Sequence, residues 1–242
     1  MKNILLSIFL LVSTLISAQN QIKVEYELTP YFNPADKSMG MLNVVFLNSN
    51  YELIVDENSS SFVFVEKISN EQPRGERVAT VQMGSRGTIF KNTADNIYLK
   101  EAKLGTKNYL IQDSLRVFDW SISKETKTIL GFETRKATAV LDDKYGTKIT
   151  AWYAPKLNFK TGPEDFWGLP GLILELESGF EYEDGGNEGS IYKALSVEVL
   201  KDKVKVEAPS KGEKVSRQEF KELAKQQYNK MMEMYGDGVD KD

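Results

Sequence analysis

Few residues in this chain can do chemistry, and their spacing limits what that chemistry is. Glu175 and Glu177 share one face of a strand-like run, and residues two apart on a strand have Cα atoms about 6.5 to 7 Å from each other. Two carboxylates so placed can divide the work of glycoside hydrolysis, one as the acid and one as the ionised partner. A solvated strand face explains the same pair without any chemistry. The acidic run Glu181-Tyr182-Glu183-Asp184-Gly185-Gly186-Asn187-Glu188 offers oxygen ligands that can hold calcium. It lacks the spacing of an EF-hand loop and reads equally as a hairpin tip. Ser121-Ile122-Ser123-Lys124 brings a serine and a lysine close together, a spacing too common by chance to define a nucleophile.

Two residue types are missing altogether. The 242 residues include no histidine and no cysteine. A Ser-His-Asp triad, an imidazole acid or base, and a His-ligated metal are therefore outside this chain's own means. So are a thiolate nucleophile, a disulfide framework and a lipidated cysteine anchor. The reading that follows is a binding protein rather than an enzyme, with no cofactor and no metal assigned.

The densest concentration of unusual residues runs from Ala151 to Glu177. Trp152, Tyr153, Phe159, Phe166 and Trp167 fall within sixteen residues, and Gly168-Leu169-Pro170-Gly171-Leu172-Ile173 follows at once. Pro170 presets the φ of the second turn position and Gly171 tolerates positive φ at the third, so a type II turn is expected over Leu169 to Leu172. A strand should leave it with Leu172, Leu174 and Leu176 facing one way and Ile173, Glu175 and Glu177 the other. The rings serve either as core at the end of a sheet or as the wall of an apolar cleft. On the second reading Trp152, Tyr153, Phe166 and Trp167 are the candidate ligand-binding residues.

The run Gly168-Leu169-Pro170-Gly171-Leu172-Ile173, preceded by Gly162-Pro163 and Ala151-Trp152-Tyr153, resembles the GLPGLI family of secreted Gram-negative envelope proteins. The likeness extends upstream to Asp119-Trp120-Ser121-Ile122 and to Gly131-Phe132 with Lys136-Ala137. It implies a mainly β fold and an extracytoplasmic location. It brings no established reaction, and Thr134 and Arg135 stand where many relatives carry a cysteine.

The elements that must position these residues are short strands. Ile22, Val24, Tyr26 and Leu28 alternate with Lys23, Glu25, Glu27 and Thr29, the period of a half-buried strand. Comparable runs occur at 42–47, 51–55, 62–65, 78–83, 88–90, 97–99, 115–122, 136–141, 149–153, 172–176, 191–200 and 204–206. Turn-formers separate them, among them Gly84-Ser85-Arg86-Gly87 and Asp184-Gly185-Gly186-Asn187. The spacing fits an antiparallel sheet, sandwich or partial barrel rather than βαβ units. Only the C-terminus reads as helix. Ser216-Arg217-Gln218-Glu219 forms a capping box, and Phe220, Leu223, Ala224, Tyr228, Met231 and Tyr235 recur at helical spacing. This stripe should lie on the body, with Met231, Met232 and Met234 as core filler. The lysine-rich stretch from 201 to 214 reads as an exposed strand edge and connector.

Lys2 followed by the apolar run Ile4 to Ile16 and by Ser17-Ala18 has the form of a secretory signal peptide. The run is too short for a membrane span, which needs about 20 apolar residues. The expected organisation is a signal peptide over 1–18, a β-rich domain over 19–210, and a helix and tail over 211–242 packed on that domain. Lys and Arg number 31 against 35 Asp and Glu, a net charge of −4. Without Lys2 the basic count is 30 and the net charge −5. An acidic balance argues against a nucleic-acid binder. The leading expectation is an exported, non-catalytic envelope protein in the periplasm or outside the cell. It would take a small apolar or peptide-like ligand, or a protein partner, on an aromatic-lined concave β surface. An accessory subunit of an outer-membrane transport or secretion assembly and a carboxylate-dependent hydrolase are the alternatives.

Overall fold

A computed structural model describes residues 21–33, 44–66 and 79–236. The expected signal peptide lies outside the described residues. Among the described residues there are fourteen strands and one helix, α1 (Arg217–Gly236). Twelve strands form one sheet. Along the chain they are β1 (Ile22–Asn33), β3 (Ser49–Val55), β4 (Ser59–Val65), β6 (Ile89–Asn92), β7 (Ile97–Leu104), β8 (Lys107–Asp113), β9 (Ser121–Ile129), β10 (Phe132–Val140), β11 (Lys148–Ala154), β12 (Leu172–Glu181), β13 (Asn187–Val199) and β14 (Glu213–Val215). Their order in the sheet is β14-β8-β7-β6-β4-β3-β1-β13-β12-β11-β10-β9. Every pairing is antiparallel except β14 with β8. β2 (Val44–Leu47) and β5 (Ala79–Gln82) pair in parallel as a separate ribbon. The expected mainly β, antiparallel architecture with one C-terminal helix is what the chain adopts.

The connectivity forces this sheet to curl. Ten inter-strand steps separate β8 from β9, which at about 4.8 Å each would set them about 48 Å apart in a flat sheet. The chain passes from Asp113 at the end of β8 to Ser121 at the start of β9 in eight residue steps, which span at most about 29 Å. The sheet therefore wraps round, and its inward face carries the core. The alternation read from β1 holds: Ile22, Val24, Tyr26 and Leu28 are buried while Glu25 and Thr29 are exposed. Inward-facing rings from four strands meet there, with Tyr51 stacked on Phe62 at 4.6 Å and Tyr26 and Tyr192 edge-on to Phe62.

What fills the hollow is the chain's own β11–β12 connection, residues 155–171. Side chains from four strands, β4, β6, β7 and β13, reach into it, and a fifth, from β1, holds the start of β12 beside it. Tyr26 of β1 donates to the Ile173 carbonyl at 2.5 Å, and the Ser60 hydroxyl of β4 meets that of Thr161 at 3.1 Å. Lys91 of β6, Tyr98 of β7 and Tyr192 of β13 bond to residues 162–166.

Several expectations need correcting. The bend at Pro170 is not a type II turn: the Gly171 N–H donates to the Leu169 carbonyl at 2.8 Å, a three-residue γ-turn, while the Leu172 N–H turns away to Leu157. Gly171 has φ +153°, and a Cβ there would fall 2.7 Å from the Ala154 carbonyl carbon. Ile173 does not face out with Glu175; it is fully buried because the returning Thr161-Gly162 covers it. Residues 115–120 are not a strand but the crossing from β8 to β9, and 204–206 is a connector whose Val204 N–H and carbonyl are both held by the Gln21 side chain. Ser216 and Glu219 do form the reciprocal capping box, at 3.1 and 2.7 Å. The helix, however, docks only by its first turns, through Phe220 against Tyr109 and with Gln227 over the β7–β8 turn at Gly105. Met231 and Met234 are 43% and 67% exposed, so the methionines are not core filler.

Candidate functional site

The four candidate rings do not line one concavity. Tyr153 is 2% exposed and Phe166 8%, because strand parity turns Tyr153 inward and the curled sheet closes over Phe166. Trp152 lies on the opposite, outer face of β11. There it carries the Lys127 ammonium 4.3 Å from its ring centre, and Lys127 pairs with Glu175 at 2.8 Å. Trp167 is half-buried; its indole N–H donates to the Arg116 carbonyl at 2.6 Å while its own carbonyl accepts from Trp120 at 2.9 Å. Phe118, Phe166 and Trp120 pack together beside it. Two of the rings are core, a third straps the 114–120 crossing to the connection, and the fourth belongs to an outer-face charge cluster. Of the turn residues, Leu169, Gly171, Leu172 and Ile173 are buried and only Gly168 and Pro170 reach the surface.

The acidic candidates also resolve individually. Glu175 is taken by Lys127, and Glu177 accepts the Tyr31 hydroxyl at 3.2 Å. At 182–186 the chain makes a tight hairpin tip in which the Gly186 N–H is capped by Asp184 and Tyr182 donates to Glu188. That hydrogen bond holds the Tyr182 hydroxyl protonated up to about 12. Among the described residues no group of three or more His, Cys, Asp or Glu is placed to hold a metal ion.

A different cleft gathers unpaired charge. It has a volume of about 770 Å³ and lies between the Gly84–Gly87 loop, the β7–β8 hairpin and the first turns of α1. Arg86, Lys100, Lys103 and Lys211 line it together with Glu101 and Glu164, and Tyr109 and Phe220 supply its apolar surface. Both carboxylates are engaged internally. Glu101 accepts the Thr88 N–H at 3.1 Å; Glu164 accepts the Tyr192 hydroxyl at 2.9 Å and the Ser85 N–H at 3.2 Å, with Lys100 at 3.5 Å. Arg86 donates to Gln82, and Lys103 and Lys211 meet no carboxylate within 4 Å among the described residues. Four cations against two carboxylates make this a positive cleft on an acidic chain.

Buried chemistry beneath the cleft fixes Glu164. Its φ is +49°, a conformation that a non-glycine residue holds only where its surroundings impose it. Lys91, with no exposed surface, donates to the carbonyls of Gly162 and Glu164 at 2.7 Å each and of Phe166 at 3.0 Å. Three carbonyls match the three donors of an ammonium. Burial draws that ammonium down to about 7, against the opposing pull of the Asp165 and Glu164 carboxylates. Next door, Asp165 accepts the Tyr98 hydroxyl at 2.5 Å, and the Arg217 guanidinium lies 3.9 Å over the Tyr98 ring with Asp165 at 3.7 Å. Arg217 is the first residue of α1, so the helix start and the connection share one ionic cluster. Burial raises the hydroxyl pKa of Tyr98, Tyr192 and Tyr51 alike, that of Tyr51 to about 12.

These features define a curled antiparallel sheet closed around its own connecting loop, with a cationic cleft at one side. The segment 140–175 matches a family described as "Protein of unknown function (Porph_ging)", and it contains both the β11 strand and the Gly168–Ile173 run. Solved structures described as "Structure of PNGF-II in C2 space group" and "Structure of PNGF-II in P21 space group" are similar in fold, each with TM-score 0.55 and 17% identity over 86% of this chain. The chain spans about a third of the length of those chains, 33% and 34%. No curated protein matches it.

Proposed function

We propose that this chain is an exported binding module that holds an anionic ligand in the cleft between the Gly84–Gly87 loop, the β7–β8 hairpin and the start of α1. The observation that carries this reading is the convergence of Arg86, Lys100, Lys103 and Lys211 on one hollow of about 770 Å³ in a chain of net charge −4. Cations crowded at a concave, partly apolar site raise the local concentration of anions and gain strength from the low dielectric of its walls. Tyr109 and Phe220 give the ligand a face to pack on. Export rests on the form of residues 1–18 and on the resemblance of the Gly168–Ile173 run to the GLPGLI family. Binding rather than catalysis rests on the internal engagement of Glu101 and Glu164.

Calorimetric titration with an acidic peptide, an oligogalacturonate and citrate tests the reading. At least one of these anions should bind, more weakly as salt is raised, and the Lys103→Glu/Lys211→Glu variant should lose that binding while keeping its fold. Binding indifferent to the variant, or no binding to any of the three, overturns it.

A further inference from the structure

We propose that the anion held in this cleft is an extended acidic peptide, which pairs its backbone with the free edge of β7 at Lys103. The inference rests on the cleft being an anion site and adds the class of ligand. β7 runs from Ile97 to Leu104, but its pairing with β6 covers only Ile97 to Lys100, while its pairing with β8 continues to Leu104 opposite Lys107. The last half of β7 therefore has one neighbour, not two. The Glu101 N–H points away from β8, since it donates to the Thr88 carbonyl at 2.9 Å, and Gly87 packs against the Glu101 carbonyl and closes the edge there. Strand parity then aims the N–H and carbonyl of Lys103, two residues on, the same way. No backbone hydrogen bond among the described residues fills that position. Lys103 is exposed and lines the cleft.

An edge of this kind accepts a strand. Its donor and acceptor are spaced for a peptide unit, and main-chain pairing supplies affinity while side-chain contacts supply selection. Selection here is for acids, because Lys103 stands on the free edge itself and meets no carboxylate within 4 Å among the described residues. Lys211 and Arg86 line the same cleft. Acidic side chains of an extended peptide seated there meet these cations.

The test is fluorescence polarisation with a short labelled peptide of consecutive glutamates flanked by threonines. Its counterparts are the same peptide N-methylated at alternate amides and a labelled oligogalacturonate titrated in the same way. The parent should bind, and N-methylation should weaken it about tenfold or more, as the loss of one or two main-chain hydrogen bonds requires. Lys103→Pro should weaken the parent further than Lys103→Ala, since only proline removes the N–H; should Lys103→Pro not fold, the N-methylated peptide decides alone. Equal binding of parent and methylated peptides overturns the strand pairing. Tight oligogalacturonate binding without peptide binding overturns the peptide and leaves the anion site standing. If neither binds, the peptide reading falls, and the anion site falls with it where citrate also fails to bind.

Discussion

The Lys91 ammonium lies 2.7 Å from the backbone carbonyl of Glu164, the residue whose carboxylate opens into the cationic cleft. A buried cation thus pins from beneath the loop that shapes the cleft above. Replacing it with a shape-similar apolar residue leaves the carbonyls of Gly162, Glu164 and Phe166 without a partner in the core. Lys91→Met should cost about 1 to 3 kcal/mol, the range for leaving buried hydrogen-bonding groups unsatisfied. Urea unfolding measures this, and a loss below about 1 kcal/mol would show that the three hydrogen bonds are dispensable.

Alkaline pH should unfold the chain for a reason the sheet supplies. Burial raises the hydroxyl pKa of Tyr26, Tyr51, Tyr98 and Tyr192 above the ordinary value of 10.0. The unfolded chain loses those protons from about pH 10 while the folded chain keeps them, so the folded state binds more protons and stability falls as pH rises. Stability should be insensitive to these groups below about pH 10 and decline beyond it. Tyrosinate absorbance followed alongside circular dichroism checks the link: the buried hydroxyls should ionise together with the loss of structure. Their ionisation well before unfolding would contradict the inward placement.

Gly171→Ala should be far more damaging than Pro170→Ala. The first forces a side chain onto φ +153° and into the Ala154-Pro155 backbone, a strain of about 1 to 3 kcal/mol before the clash is added. The second loosens an exposed residue and should cost about 0.4 to 1 kcal/mol through the unfolded chain. Thermal melts of the two variants give the ranking, and equal melting shifts would refute the close approach.

Docking of α1 depends on its first turn. Ser216→Ala removes the hydroxyl that caps Glu219 and should cost about 1 kcal/mol. Because Arg217 and Phe220 are the helix's links to Asp165 and Tyr109, hydrogen exchange in α1 should quicken much more than in β1. Uniform quickening across both would mean that the helix and sheet unfold as one unit.

The parts of the fold legible in the sequence are those with one wet and one dry face. β1 alternates cleanly because its inward side chains meet the core and its outward ones meet water. β8 escaped notice because Tyr109, Leu110 and Ile111 are all buried, with Phe220 covering what would otherwise be an outer face, so no period of two survives. β9 escaped for the opposite reason: as an edge strand it is largely exposed on both sides and carries lysines and threonines. The 115–120 crossing imitates a strand by composition, although Val117 in it is 87% exposed. The aromatic bend drew attention to the right segment, since Glu164 and Asp165 belong to it, but rings that dense signal packing. The cleft's cations come from positions 86, 100, 103 and 211, which the neighbouring strands β6, β7, β8 and β14 bring together from distant parts of the chain. No local spacing announces them, and Lys91 differs from a surface lysine only through its burial.

The most direct test of the anion cleft is to map it by amide chemical shifts as the acidic peptide, oligogalacturonate or citrate is titrated into the labelled chain. Perturbations should concentrate at Gly84, Ser85, Gly87, Lys103 and Asn108 around the cleft and leave the Trp152 face of β11 unmoved. Shifts centred on Trp152, or none at any of the cleft amides with all three anions, would contradict the account.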